Sequence, residues 1–269
     1  MYKIVAIDLD DTLLNKDKQI SDENKKTLAK CQELGVKIVI STGRPYIGIQ
    51  KVLNELNLVG TDTYAFCYNG GLIYSLKNME IIASFTITGR DIKKLYQESL
   101  RLNTYYHLYD LEGKLYTPKM NEYTMYGAKL VGTTANIVEI NSFPDDKLFL
   151  KGMLVDDKNH ISEIISQIDP QLKEQYANFR SAPIYYEFLN PKATKGSALR
   201  YLANHLNIDI EDTIAIGDSE NDLSMIIDAG LGVAMENSYP HIKEKADFIT
   251  KDCNEDGVSY VLKKFILDR

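Results

Sequence analysis

The apolar run Lys3-Ile-Val-Ala-Ile7 stops at Asp8, with Asp10 and Thr12 just beyond, and about two hundred residues later Thr213-Ile-Ala-Ile216 stops at the cluster Gly217-Asp-Ser-Glu-Asn-Asp222. Each run is short and unbroken, which suits a strand buried on both faces of a parallel sheet. In an open sheet of that kind, the loops at the carboxyl ends of the strands line the ligand crevice. Two acidic clusters meeting there would repel one another unless a cation lay among them, so the pairing implies a bound metal. Oxygen donors of this type suit Mg²⁺ rather than zinc.

The rest of the chain supplies the sheet. After Ile4 to Asp8 comes a helix from about Asp22 to Leu34, capped by Ser21 and stopped by Gly35, and then a strand from Val36 to Ser41. Thr42-Gly-Arg-Pro45 opens a second helix through about Leu56, and Tyr64 to Tyr68 is a third apolar run. This βαβ order favours a parallel sheet covered on both faces. Asn69-Gly70-Gly71 then reads as a hairpin turn into Leu72-Ile-Tyr-Ser75, and a turn explains those residues without assigning them chemistry. From about Ser84 to Leu189 the pattern changes to short strands with helices near Asp91 to Leu102 and Ser162 to Ile168, rich in tyrosine. Alternation resumes after Pro191, with a helix from about Gly196 to Leu206, the strand Thr213 to Gly217, and a helix through Ala229. The runs Gly232 to Met235 and Phe248 to Thr250 follow, before a last helix near Val258 to Leu267. The expected fold class is α/β: a Rossmann-like parallel-sheet core, residues 1–83 and 190–269, interrupted by an inserted α+β cap, residues 84–189.

A net charge of −7 with no basic stripe argues against nucleic acid or an anionic membrane as partner and leaves a small anionic metabolite possible. Cys31, Cys67 and Cys253 are too scattered for a disulfide framework or a metal cluster, and no leader-like segment precedes the first strand, so the expected location is cytoplasmic. His107, His160, His205 and His241 lack ligand-like spacing and read as scattered surface or interface residues.

Asp8, at the end of a strand, projects from a rigid element and can be a metal ligand or a nucleophile that accepts a phosphoryl group. Asp10 can serve as general acid if neighbouring anions raise its pKa. Ser41-Thr-Gly-Arg44 offers hydroxyls and backbone N–H groups either to a phosphate at a helix start or to an ordinary N-cap. Lys195 stands where one ammonium can offset the charge of a phosphate and of its attacker. Asp218, Asn221 and Asp222, spaced i, i+3, i+4, can aim oxygen groups into one pocket: Asp218 as second metal ligand, Asn221 as phosphate contact, Asp222 as orienter.

These four pieces, Asp8-Leu-Asp-Asp-Thr12, Ser41-Thr-Gly-Arg44, Lys195 and Gly217-Asp-Ser-Glu-Asn-Asp222, resemble the haloacid dehalogenase superfamily in kind and order. An insertion between the second and third pieces resembles the Cof-type subfamily, above all its bacterial sugar-phosphate phosphatases. The likeness covers nearly the whole chain, including Gly232-Val-Ala-Met-Glu-Asn237 and Asp256-Gly-Val258. The resemblance implies Asp8 as nucleophile, Asp10 as general acid and then base, and Mg²⁺ held by Asp8, the backbone carbonyl of Asp10, and Asp218. It implies a phosphoryl group held by Thr42, Gly43, Lys195 and Asn221 with the N–H groups of Leu9 and Asp10, while Ser41 and Asp222 support them. The implied reaction is Mg²⁺-dependent hydrolysis of small phosphate monoesters through an aspartyl phosphate, with sugar phosphates ahead of flavin mononucleotide and pyridoxal phosphate. The cap is expected to exclude water and choose the leaving group. Asp11 departs from the pattern, standing where many relatives have glycine. A phosphomutase remains the alternative in mechanism and a non-enzymatic phosphoacceptor module the alternative in class; Asp10 and the long insertion weigh against the latter.

Overall fold

Every residue of the first strand, Ile4–Asp8, is buried, and the strand lies inside an eight-stranded sheet among the described residues. The structure is a computed structural model that describes residues 2–131 and 134–268; Met1, Gly132, Thr133 and Arg269 lie outside the described residues. The chain divides into two compact units, Met1–Ser84 with Thr194–Arg269, and Phe85–Ala193.

In the first unit the strands lie in the order Phe248–Ile249, Leu231–Ala234, Thr213–Gly217, Ile4–Asp8, Lys37–Ser41, Tyr64–Cys67, Leu72–Ser75, Glu80–Ser84. The first six are mutually parallel and the last two antiparallel. From Ile4–Asp8 the chain winds outward to one side, and after the insertion it returns to build the other. The winding direction therefore reverses beside Ile4–Asp8, which opens a crevice at the carboxyl ends of these strands. Asp8 is in register with Ser41 and Ile7 with Ile216, so the segments that follow all three strands emerge at one level.

The helices follow their caps. Asp22–Glu33 starts where Ser21 Oγ accepts the N–H of Asn24 at 3.0 Å, and it ends before Gly35, whose φ is +81°. Buried Asn24 accepts from the N–H and hydroxyl of Ser259 at 3.0 and 2.7 Å, which docks the helix Gly257–Leu262 against it. Among the described residues no helix is long and apolar enough to cross a membrane.

Among the described residues the second unit holds a seven-stranded, mostly antiparallel sheet. Its helices Gly89–Arg101, Lys158–Ile164 and Pro170–Gln175 contribute Ile92, Leu95, Ile161 and Leu172 to a core shared with Tyr106, Phe149, Leu154 and Phe188 of the sheet. Two helices escape the sequence reading. Glu122–Val131 is rich in poor helix formers (Tyr123, Thr124, Tyr126, Gly127), and six-residue Pro170–Gln175 is too short to show a period. His107 corrects another expectation: it is buried, with Nε2 2.6 Å from Thr124 Oγ1. Burial, then the charge of Lys151, lower its pKa to about 3, so it is a neutral core histidine rather than a surface one.

Candidate active site

Lys195 opens the helix Lys195–His205, which Thr194 caps by accepting the N–H of Ser197. A cation in the first turn of a helix is opposed by the helix dipole, and this side chain is 0% exposed. Its Nζ is nonetheless held 2.5 Å from Asp8 Oδ1 and 2.5 Å from Asp222 Oδ1. Burial disfavours the ammonium, but Asp222 and Asp8 outweigh that and raise its pKa, so Lys195 stays charged.

One ammonium does not balance the site. Oxygens of Asp8, Asp218 and Asp222 all lie within 4.8 Å of one another. Burial first, then the charge of Asp222, push the Asp8 carboxyl well above its ordinary range, and Lys195 opposes them only in part. Burial and Asp222 likewise raise Asp218 to about 6. Asp222 is fully engaged: Oδ2 accepts the N–H groups of Asp218 and Ser219, each at 3.0 Å, and Oδ1 takes Lys195. Gly217 makes room for it, since a Cβ there would collide with the Asp222 side chain. Asp222 thus has the geometry of an orienter, whereas Asp8 Oδ2 has no hydrogen-bond partner among the described residues. Asp218 accepts only hydroxyl protons, from Thr12 and Ser219, both at 2.9 Å.

Asp10 reverses the expectation from sequence. Its carboxylate is gripped by the Arg44 guanidinium, Nε to Oδ2 at 2.9 Å and Nη2 to Oδ1 at 2.6 Å, with Lys18 3.3 Å away. Burial would raise its pKa, but the Arg44 fork and Lys18 more than offset that and hold it below the ordinary carboxylate range. Neighbouring anions therefore do not keep Asp10 protonated in this arrangement, and Arg44 is a site residue that sequence reasoning left unassigned. Asp11 adopts φ +58°, the left-handed region where glycine is most at ease and aspartate is tolerated. Its side chain is 49% exposed and paired with Lys18, so the departure from glycine is absorbed by the backbone and the solvent.

Residues 42–45 do not open a helix. Tyr46–Gly48 is a single 3₁₀ turn and Gln50–Glu55 a six-residue helix, so no helix amino terminus presents itself at Thr42. Instead the Thr42 N–H donates to Phe66 O at 2.8 Å and its Oγ1 accepts the Arg44 N–H at 3.1 Å, leaving the hydroxyl proton for another acceptor. Buried Ser41 Oγ has no hydrogen-bond partner among the described residues. The Leu9 side chain is fully buried in the core, so only its backbone can serve the site. The hairpin turn carries more than geometry: Asn69 Oδ1 accepts Asn221 Nδ2 at 2.9 Å, and the Asn69 amide lies against Gly43. Its signal in the sequence was the Asn-Gly pair itself, which a turn already explained. Far along the chain, Asn237 Nδ2 donates to Asp11 O at 2.7 Å, so the segment after Leu231–Ala234 braces the first loop.

This constellation on this sheet has kin. The sequence pattern of the haloacid dehalogenase-like hydrolases matches residues 5–262, and the chain belongs to that family, in its Cof-type branch; it is a phosphoric monoester hydrolase. The protein YxeH of Bacillus subtilis (strain 168) is 39% identical over 269 residues, covering 99% of each chain. From the same organism, 5-amino-6-(5-phospho-D-ribitylamino)uracil phosphatase YcsE is 30% identical over 269 residues, 98% of this chain and 96% of that one. Among solved structures, a haloacid dehalogenase-like hydrolase from Bacteroides thetaiotaomicron matches with a TM-score of 0.84 at 30% identity, over 99% of this chain and 100% of that one.

Proposed function

We propose that the enzyme hydrolyses small phosphate monoesters, sugar and sugar-alcohol phosphates foremost, with Asp8 as nucleophile and Mg²⁺ as cofactor. The observation that carries this reading is the charge imbalance around Asp8: three buried carboxylates against the single ammonium of Lys195. A divalent cation and a phosphoryl dianion together complete such a site. The donors fit Mg²⁺, being hard oxygens on Asp8 and Asp218 whose raised pKa values mark negative charge still uncompensated. Asp8, Asp218 and the backbone carbonyl of Asp10 would hold the ion. When bound, it would neutralise phosphoryl oxygens and ease the approach of one anion to another.

The chain's own groups then act in sequence. Lys195 favours the ionised form of Asp8 and fixes Oδ1, which leaves Oδ2 to attack phosphorus in line. Thr42, Gly43 and Asn221 with the Leu9 and Asp10 N–H groups hold the phosphoryl oxygens. Asp10 protonates the departing alcohol and afterwards, as carboxylate, takes a proton from the water that hydrolyses the aspartyl phosphate. Arg44 favours the second of these states, so Asp10 must loosen from it to act as acid. The relative YcsE is named for a phosphorylated ribityl compound, which supports a polyol or sugar phosphate here. Three free, buried cysteines support a reducing, cytoplasmic setting. Phosphate release from a metabolite panel, with Mg²⁺ and with chelator, tests the reading alongside Asp8→Asn. Release that needs Mg²⁺ and vanishes in a folded Asp8→Asn is expected; substantial turnover by that variant would refute the nucleophile, and an isomeric ester in place of free phosphate would indicate a mutase.

A further inference from the structure

The turn after Tyr64–Cys67 is built at a conformational cost. Tyr68, Asn69 and Gly70 take φ of +52°, +57° and +91° in succession, and Tyr68 carries a bulky side chain that the left-handed region disfavours. Strain of this kind persists where surrounding contacts impose it, and it gathers at functional sites. Here the contacts reach three of the four chemical motifs. The Tyr68 N–H donates to Arg44 O at 3.1 Å and the Asn69 N–H to Thr42 O at 2.9 Å. A Cβ on Gly70 would lie 2.5 Å from Thr194 O, so the turn is pressed onto the start of the helix that carries Lys195. Asn69 Oδ1 accepts from Asn221.

The Asn69 side chain, 5% exposed, occupies the centre of this junction. A Cβ on Gly43 would meet its Oδ1 at 3.2 Å and its Nδ2 at 3.4 Å. One end of the amide is therefore committed to Asn221, while Nδ2 lies beside Gly43 with no acceptor among the described residues. A donor this close to two positions assigned to the phosphoryl group, and not sealed among buried atoms, is open to an acceptor that enters the site. Turn geometry alone does not ask for an amide, since glycine would remove the strain and aspartate tolerates the same φ. A neutral donor beside an incoming anion does ask for one.

We propose that Asn69 is a phosphoryl-binding residue: its Oδ1 orients Asn221, and its Nδ2 donates to a phosphoryl oxygen. The inference rests on the phosphatase reading above for which anion binds, and direct binding separates the two. Asn69→Gly keeps the positive φ and removes the amide. Asn69→Asp keeps the φ and an acceptor for Asn221 but sets an anionic oxygen where the donor was. Binding of inorganic phosphate to the full chain in Mg²⁺, read by calorimetry, is expected to weaken about 10-fold in Asn69→Gly and about 100-fold in Asn69→Asp. The kcat/KM for p-nitrophenyl phosphate should fall in parallel, with thermal midpoints at or above the parent's for Asn69→Gly. A residue serving the turn alone would leave both readouts unchanged in Asn69→Gly, and that result overturns the proposal, as does a parent chain that binds no phosphate. Intact phosphate binding without turnover would instead count against the earlier reading alone.

Discussion

Asp218→Asn should make the metal-free protein more stable while removing its response to Mg²⁺. The substitution keeps the local hydrogen bonds: Oδ1 can still accept from Thr12, and the Ser219 hydroxyl, now a donor to Oδ2 at 2.9 Å, can turn to accept from the new amide. What it removes is a buried charge beside Asp222. With the carboxyl raised from 3.8 to about 6 in the folded state, the folded protein holds this proton more tightly than the unfolded chain does. Stability therefore falls as pH rises through that window; the penalty is absent below the lower value and complete above the upper one. Its full size is about 3 kcal/mol, and about half of that is present at pH 5. Urea unfolding of the parent and variant in chelator, at pH 5 and pH 8, measures the difference. The variant should lead by about 3 kcal/mol at pH 8 and by about 1.5 kcal/mol at pH 5. Saturating Mg²⁺ should then stabilise the parent, by about 2.7 kcal/mol at a hundredfold excess over its Kd, and do little for the variant. A variant no more stable than the parent at pH 8, a gap that does not shrink on acidification, or an equal gain from Mg²⁺ would refute the argument that Asp218 carries uncompensated charge awaiting a cation.

Two other changes probe neighbouring parts of the site. Lys195→Met strands Asp8 and Asp222 without their cation and should cost about 3–5 kcal/mol at neutral pH, a loss that shrinks as the pH is lowered and Asp8, whose pKa is already raised, protonates; urea unfolding at pH 5 and pH 7.5 gives both numbers. Arg44→Ala frees Asp10 from the fork that lowers its pKa, so the limb of the kcat–pH profile belonging to Asp10 should move to higher pH. Profiles that superimpose would mean that Asp10 does not titrate in the reaction.

The parts of this site that are legible in the sequence are those in which chemistry interrupts a structural pattern. Asp8 and Asp218 end runs that are otherwise wholly apolar, as strands buried on both faces must be, so their carboxylates had no structural excuse. Lys195 fell into place by its order relative to them. Arg44 and Asn69 were hidden for opposite reasons. Arg44 finds its carboxylate 34 residues back in the chain, and no local pattern records a partner at that distance; sequence therefore singled out Asp10 but inverted the sign of its pKa shift. Asn69 sits in the tight turn that its own residue type favours, so its conformational use concealed a chemical one. The two cases share a physical cause. Strand ends fix where a side chain starts, but which groups face it depends on how loops are tied across the sheet, here by Thr42 to Phe66, Asn69 to Thr42 and Asn237 to Asp11. Charge imbalance is a property of composition near a strand end and can be counted from sequence. The direction in which that imbalance shifts each proton is a property of those ties, and it becomes readable only once they are seen.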